Sequence, residues 1–497
     1  MDNLTKIILI PLDNRPVSYS LPIQIGQLNA NVQVLVPPRE LIGGLFHNTS
    51  VDKVLLWLID TIQNNKIDFI VCSLDTIAYG GLIPSRRNPD TEAMIITRLS
   101  DLKIMIESHK KEHETKLYAF SSVMRISNNN INEEEKEYWD KYGELIFEFS
   151  YLTHKTQIEQ CESDKDKLRE LTGKIPEEIL RDYLLTRKRN FDINKYYLSW
   201  IEDGFIDFLV YSQDDTAKFG LNVIEAQTLK DLITEKNLSS KITVQTGADE
   251  IPTDLLTRGL IEKSNEKISI FPVFSTEDGP NIISRYEDRT ILESVFGQID
   301  LCGADVVDSE EEADIILLVH TPTQSQNDHA MRIYTDPENE KAVEFCVNTI
   351  ITTHKPIILA DIAFANGSDN LLIRKLLANG INLGALYGFA GWNTTGNTLG
   401  SCISMGLSRY IAEKSNNLNF ENFKKLLLIR LCDDWAYQTV IRQKIRALTQ
   451  EADTRILSEE LKPFIVNLAN KINLSLSKLE LSFPWNRTFE VEINLVD

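Results

Sequence analysis

Histidine and cysteine are scarce in this chain, seven and six among 497 residues. No H-x-H, H-E-x-x-H or C-x-x-C occurs, so the spacings that hold zinc in amidohydrolase or zincin sites are missing, and neither a protein-bound metal nor another cofactor is expected. The cysteines Cys72, Cys161, Cys302, Cys346, Cys402 and Cys432 are scattered among mostly apolar neighbours. They read as buried free thiols rather than a disulfide framework. Also missing are G-x-x-x-x-G-K-[ST], a strand-linked G-x-G-x-x-G and G-x-S-x-G, the usual signs of nucleotide binding and of the serine-hydrolase elbow.

A basic stripe is lacking too. The formal charge of -21 is spread over interspersed acids, which argues against nucleic acid and anionic membranes as partners, because phosphate binding needs clustered cations. No apolar run approaches the roughly 18 residues of a membrane span. The first apolar strand starts within a few residues of Met1, leaving no room for a charged-then-apolar leader, so the expected compartment is the cytoplasm. The expected partner is a small-molecule or oligosaccharide substrate; the sequence does not set the oligomeric state.

What the chain does have is one recurring arrangement. Apolar strands are expected at Lys6–Leu12, Gln33–Val36, Asp68–Leu74, Lys116–Phe120, Asp207–Ser212, Lys241–Thr246, Ile268–Phe274, Ile315–His320, Pro356–Ala360 and Leu383–Phe389, with helix-period stretches between most of them. This alternation is βαβ, and unbroken apolar runs such as IILI, FIVC and IILLV mean that both faces of a mainly parallel sheet are covered. With Gln33–Val36 and Ile268–Phe274 set aside as insertions, eight strands remain. The fold class is therefore read as α/β, a (β/α)₈-barrel-like parallel sheet over residues 1–415, with doubly wound open sheets, two in tandem, as the alternative. A helical insertion is expected at about residues 132–203. Residues 416–497 are expected to form a mainly helical subdomain, with Asn417–Glu480 helical and an edge strand in TFEVEINLV.

Several of these strands run straight into polar residues. The clusters are Asp13 and Arg15 in PLDNRP, Asp75 and Tyr79 in SLDTIAYGG, Arg125 in VMRISN, Asp214 and Asp215 in SQDDTAKFG, Asp249 and Glu250 in TGADE, Asp361 and Asn366 in ADIAFANGS, and Trp392, Asn393 and Asn397 in GWNTTGN. Parallel strands place their C-terminal ends on one side, so these clusters are expected to share a cleft. Carboxylates, amides and an aromatic ring are what a hydroxyl-rich ligand needs. Asp214 and Asp215 close the strand FLVYS and are the candidate catalytic pair, one protonated and one ionised; the other residues are candidate substrate contacts. Asp433–Asp434 is an adjacent pair of the kind that 73 acidic residues produce by chance, and His320 reads as a hydrogen-bonded strand end.

Over nearly its whole length the chain resembles a bacterial family of unknown function marked by PLDNRP, SLDTIAYGGLIPSR, SQDDTAKFG and GWNTTGNTLG. Locally, Asp214–Asp215 after the fourth strand of the barrel count resembles the adjacent Asp pair of substrate-assisted β-N-acetylhexosaminidases of the O-GlcNAcase and hyaluronidase-like kind. That resemblance implies a glycoside hydrolase in which Asp214 orients the substrate acetamide and Asp215 is the general acid/base, with Trp392 and Asn393 binding the sugar. The aromatic-rich run before the pair is reduced to Tyr211, and PLDNRP stands where those enzymes carry a Gly-rich loop. Two rival readings remain, an oxygen-ligand Mg²⁺ or Mn²⁺ hydrolase or isomerase and a non-catalytic sugar-binding protein.

Overall fold

The computed structural model describes residues 4–214, 216–337, 339–449 and 451–496. The first half of the chain forms one parallel sheet from β1 (Thr5–Ile10), β2 (Val32–Leu35), β3 (Phe69–Ser73), β4 (Lys116–Val123), β5 (Phe208–Gln213) and β6 (Ile242–Thr246), in the order β2-β1-β3-β4-β5-β6. A second parallel sheet contains β7 (Ser269–Phe274), β8 (Asp305–Val306), β9 (Ile315–His320), β11 (Ile357–Asp361) and β13 (Gly388–Ala390), in the order β13-β11-β9-β7-β8. Two-residue strands β10 (Asn327–Asp328) and β12 (Phe364–Ala365) pair in parallel beside it, and β14 (Lys478–Ser482) and β15 (Glu492–Val496) form an antiparallel hairpin.

Nine of the ten expected regions hold their strand, and in the tenth, Leu383–Phe389, a 3₁₀ turn at Leu383–Ala385 precedes β13, but the barrel is corrected. Neither sheet closes: β2 and β6 are the edges of one, β13 and β8 of the other. Gln33–Val36 and Ile268–Phe274, set aside to reach eight strands, belong to the sheets as β2 and β7. Both sheets are doubly wound. The strand order reverses at β1/β3 in the first and at β7/β9 in the second, the positions where open α/β sheets leave a crevice beyond their strand ends.

The apolar runs follow from coverage on both faces. In β1, Ile7 and Leu9 join a core that reaches the second sheet, whereas Ile8 and Ile10 point into a separate core with Val54, Leu58 and Leu99. Between the sheets lie the helices Ile251–Ser264 and Thr395–Lys414. The first approaches β3 through Gly259, where a Cβ would sit 2.5 Å from the Phe69 ring. The second lies against β11 and β13. No helix among the described residues is long and apolar enough to cross a membrane.

The insertion is three helices, Trp139–Glu159, Glu162–Thr172 and Glu177–Glu202, with a small core around Trp139, Ile146 and Tyr183. The tail departs in part from its expected course of helix to Glu480 followed by an edge strand. Its helices are Phe420–Arg430, a π-helical turn run Leu431–Ile441, Arg442–Leu448 and Thr454–Lys471, after which Lys478–Ser482 is a strand rather than a helix end. Phe423, Leu427, Ile465 and Ile493 belong to the same apolar core as Ile7 and Ile358. Five cysteines are buried free thiols; Cys161, against expectation, is exposed.

Gly388 of β13 tests this packing. A Cβ there would lie 2.3 Å from the Cys402 carbonyl oxygen, a backbone atom of the helix Thr395–Lys414. Gly388→Ala is expected to lower stability by about 1–3 kcal/mol, the usual range for overpacking, seen as a lower urea midpoint; an unchanged midpoint contradicts the close approach.

Candidate functional site

A cavity of about 300 Å³ opens where loops after the strands of both sheets meet the C-terminal tail. Six of the residues picked from sequence line it: Arg15, Arg125, Asp214, Asp249, Asn366 and Asn393. Asp13 stands directly behind Arg15. Asp215 lies outside the described residues. A second hollow of about 440 Å³ shares Ser127, Asn129, Tyr286 and Met331 with the first and continues past Thr216 and Phe219. A larger hollow of about 540 Å³ lies elsewhere, lined mostly by amides such as Gln24, Asn29 and Asn422, without a carboxylate.

The other six residues face the interior and not the cavity. Asp75 accepts from Ser121 Oγ at 3.0 Å and the Ser122 N–H at 2.8 Å, and Tyr79 is buried with the Arg189 guanidinium 5.3 Å over its ring. Glu250 is fully buried and accepts from Gln298 Nε2 at 2.9 Å. Asp361 accepts the Asp369 N–H at 2.7 Å, Asn397 donates to Thr394 Oγ1, and Trp392 is buried edge-on to Phe489. The expected common cleft therefore omits these side chains: Asp75, Tyr79 and Asn397 lie within helices and Asp361 within β11, where packing covers them. His320 is likewise internal, bonded to Asp369 Oδ2 at 2.9 Å and Ser275 Oγ at 3.1 Å.

Charge organises the cavity wall. Arg15 donates through Nε and Nη2 to Asp13 Oδ2 at 3.0 and 2.7 Å, and through Nη2 and Nη1 to Asp249 Oδ1 and Oδ2 at 2.5 and 3.1 Å. One guanidinium thus serves two buried carboxyls. Burial pushes Asp249 up to about 7, opposed by Arg15 and reinforced by the negative charges of Asp13 and Asp214. The carboxyl therefore holds its proton through mildly acidic pH and shares it about equally with solvent near neutrality. Asp214 differs: its Oδ2 accepts from Arg86 Nη2 at 2.8 Å and lies 3.5 Å from Arg125 Nη1, while Oδ1 accepts no hydrogen bond from the described residues. Burial would raise the pKa of Glu134, but Arg125, Arg487 and Arg86 outweigh it and hold this carboxylate well below its usual range.

The backbone is constrained here as well. Tyr286, Asn366, Asn393 and Trp485, all on the cavity wall, have φ of 67°, 59°, 64° and 57°. Asparagine tolerates this region, but Trp and Tyr enter it against steric strain, a cost of order 1–3 kcal/mol that surrounding contacts must offset. Trp485 is fixed by its Nε1 bond to Asn14 Oδ1 at 2.6 Å and by Arg15 and Arg487 stacked 4.8 and 4.7 Å from its ring. Tyr286 donates to Asp328 Oδ2 at 2.8 Å, and Asp328 also accepts from Asn366.

A strand-end search does not find Tyr286, Glu134, Arg442, Arg446, Trp485, Arg487 or Phe489, which come from loops, the insertion and the tail. The available signal is PWNRTF at Pro484–Phe489, a Trp/Asn/Arg cluster like that in GWN but following no parallel strand. Among the described residues no three His, Cys, Asp or Glu side chains converge as metal ligands do.

The family described as "Protein of unknown function (DUF4127)" has a model that matches residues 7–494. The chain belongs to this family. No curated protein and no solved structure matches it. The family match spans both sheets and the terminal hairpin, so every cavity residue from Arg15 to Phe489 falls within the DUF4127 region.

The buried acids make stability depend on pH. Burial raises Asp75 to about 6, and Asp249, Asp254, Asp361 and Asp434 to about 7. In the unfolded chain such groups titrate near 4, so the folded state holds protons that the unfolded state releases. The stability they contribute is complete below about pH 4 and is lost as pH rises to about 7. His109, His154 and His329 are lowered by burial, the last to about 4, and work the other way below about pH 6.5, but the first two are only partly buried and the five acids outnumber all three. The melting temperature is expected to fall between pH 5 and pH 8, and less so in Asp254→Asn; a rise across that window contradicts the assignment.

Proposed function

We propose that the protein is a glycoside hydrolase whose acid–base pair is Asp249 and Asp214. The observation that carries this reading is that two carboxyls on one cavity wall have opposed surroundings. Asp249 shares Arg15 with Asp13 and titrates at about 7, whereas Asp214 sits against Arg86 and Arg125. A carboxyl that holds its proton near neutrality can serve as the acid while a second on the same wall serves as the base. Asp249 gives its proton to the glycosidic oxygen as the bond to the anomeric carbon breaks. Water forms the new bond to that carbon and passes a proton to Asp214 Oδ1, and exchange with solvent restores both groups. Trp485 and Phe489 offer rings to a sugar face, and Asn366 and Asn393 offer amides to its hydroxyls.

This reading moves the acid from Asp215 to Asp249. The likeness to the hexosaminidases rested on a barrel count, and the sheets are open. Substrate assistance stays as a second reading for one reason: among the described residues nothing donates to Asp214 Oδ1, the kind of acceptor an acetamide N–H requires.

A panel of 4-nitrophenyl glycosides, with and without a 2-acetamido group, tests the proposal. Hydrolysis should decline as pH rises through about 7, the Asp249 value. Asp249→Asn should lower kcat by about 10²–10⁴-fold on poor leaving groups and less on 4-nitrophenol. No turnover of any glycoside across pH 5–8 contradicts the glycosidase reading.

A further inference from the structure

Five arginines line the cavity, and they fall into two sets. Arg15, Arg125 and Arg487 are paired with carboxylates: Arg15 with Asp13 and Asp249, Arg125 with Glu134 and Asp214, Arg487 with Glu134 at 2.6 Å. Arg442 and Arg446 have no ion pair among the described residues. Arg442 is 1 % exposed, donates only through Nη1 to Gln438 Oε1 at 2.9 Å, and leaves its buried Nε without a partner. Arg446, exposed at the rim, donates to Thr488 Oγ1 at 3.1 Å and the Ala330 carbonyl at 3.4 Å, both neutral acceptors.

These two are four residues apart on the helix Arg442–Leu448, hence neighbours on one face, where like charges destabilise a helix. A buried, unpaired guanidinium adds a desolvation penalty of several kcal/mol. Burial, with Arg446 reinforcing it, lowers Arg442 to about 10, and the more distant Glu490 and Asp328 oppose the shift without cancelling it. The Phe489 ring, 5.1 Å from the guanidinium, is a weak substitute for an anion. Arg442 is also held in place from behind, since Gln438 donates to Asp433 Oδ1 and Asp433 pairs with Arg430.

We infer that Arg442 and Arg446 form an oxyanion subsite of this cavity, taking a carboxylate or sulfate carried by the sugar. The inference rests on the glycosidase reading for the word sugar, and not for the anion. Planar guanidiniums bind both oxyanions through paired N–H donors, and an anion there would compensate the Arg442 charge and offset the repulsion along the helix. The substrate class becomes acidic saccharides, a uronic acid or a sulfated sugar, which the overall charge of -21 does not favour and the local arginines do.

The test measures melting temperature of the full chain with D-glucuronate, D-glucose 6-sulfate or D-glucose, sodium chloride equalising ionic strength. A saturable rise with at least one anionic sugar and none with glucose is expected. Arg446→Gln and Arg442→Gln should each lose that rise, and ligand-free Arg442→Gln should melt at the same temperature as the parent or above it, because an unpaired buried charge has been removed. Equal shifts with glucose and the anionic sugars, shifts retained in both variants, or no shift at all would overturn the subsite. Arginine-dependent binding without hydrolysis of any glycoside leaves the subsite standing and sinks the glycosidase. Hydrolysis of neutral and acidic glycosides at equal kcat/KM, unchanged in Arg446→Gln, does the reverse.

Discussion

The contact between Arg15 and its two carboxyls holds the candidate site together. It ties the turn after β1 to the turn after β6, strands that lie four positions apart in the first sheet's order. Through the stacking of Arg15 on Trp485 it also secures the C-terminal segment against both. All three partners are nearly dry, and a charge removed from water is tolerated only when it is paired and hydrogen-bonded. A single cation cannot fully compensate two anions, so the excess negative charge is resolved by a proton. That proton is assigned to Asp249, the one of the two carboxyls that lines the cavity.

The same logic recurs through the interior. Glu250 and Asp254 are fully buried near Gly400, where a Cβ would lie within 2.8 Å of both side chains, and each has one oxygen without a protein partner. Asp433 and Asp434 share Arg430 inside the π-helical run, a geometry often found at functional sites. A chain with an acidic surplus thus places carboxyls where burial keeps some of them protonated, while five of its arginines line the cavity.

Strand positions were legible because each apolar run must be covered on both faces, and in β1 the alternation of Ile7 and Leu9 against Ile8 and Ile10 shows two cores meeting one strand. Closure was not legible. A barrel and a doubly wound sheet use the same βαβ units, and only the order in which strands pair, with β1 between β2 and β3, distinguishes them. The two Trp-Asn dipeptides show why the site was only partly visible. Trp392 follows a parallel strand but is buried edge-on to Phe489 of the tail, whereas Trp485, which follows no parallel strand, reaches the cavity. Position after a strand gives direction, but burial is decided by what folds over it. The arginines of the tail obey no strand rule at all.

The protonation of Asp249 is the point on which the account turns, and infrared difference spectroscopy reads it directly. The spectrum of the parent protein minus that of Asp249→Asn should contain the C=O band of a protonated carboxylic acid at pH 6. That band should convert to carboxylate with a midpoint at about 7. A difference spectrum containing only carboxylate bands at pH 6 would show that Arg15 keeps both partners ionised, and would contradict the account.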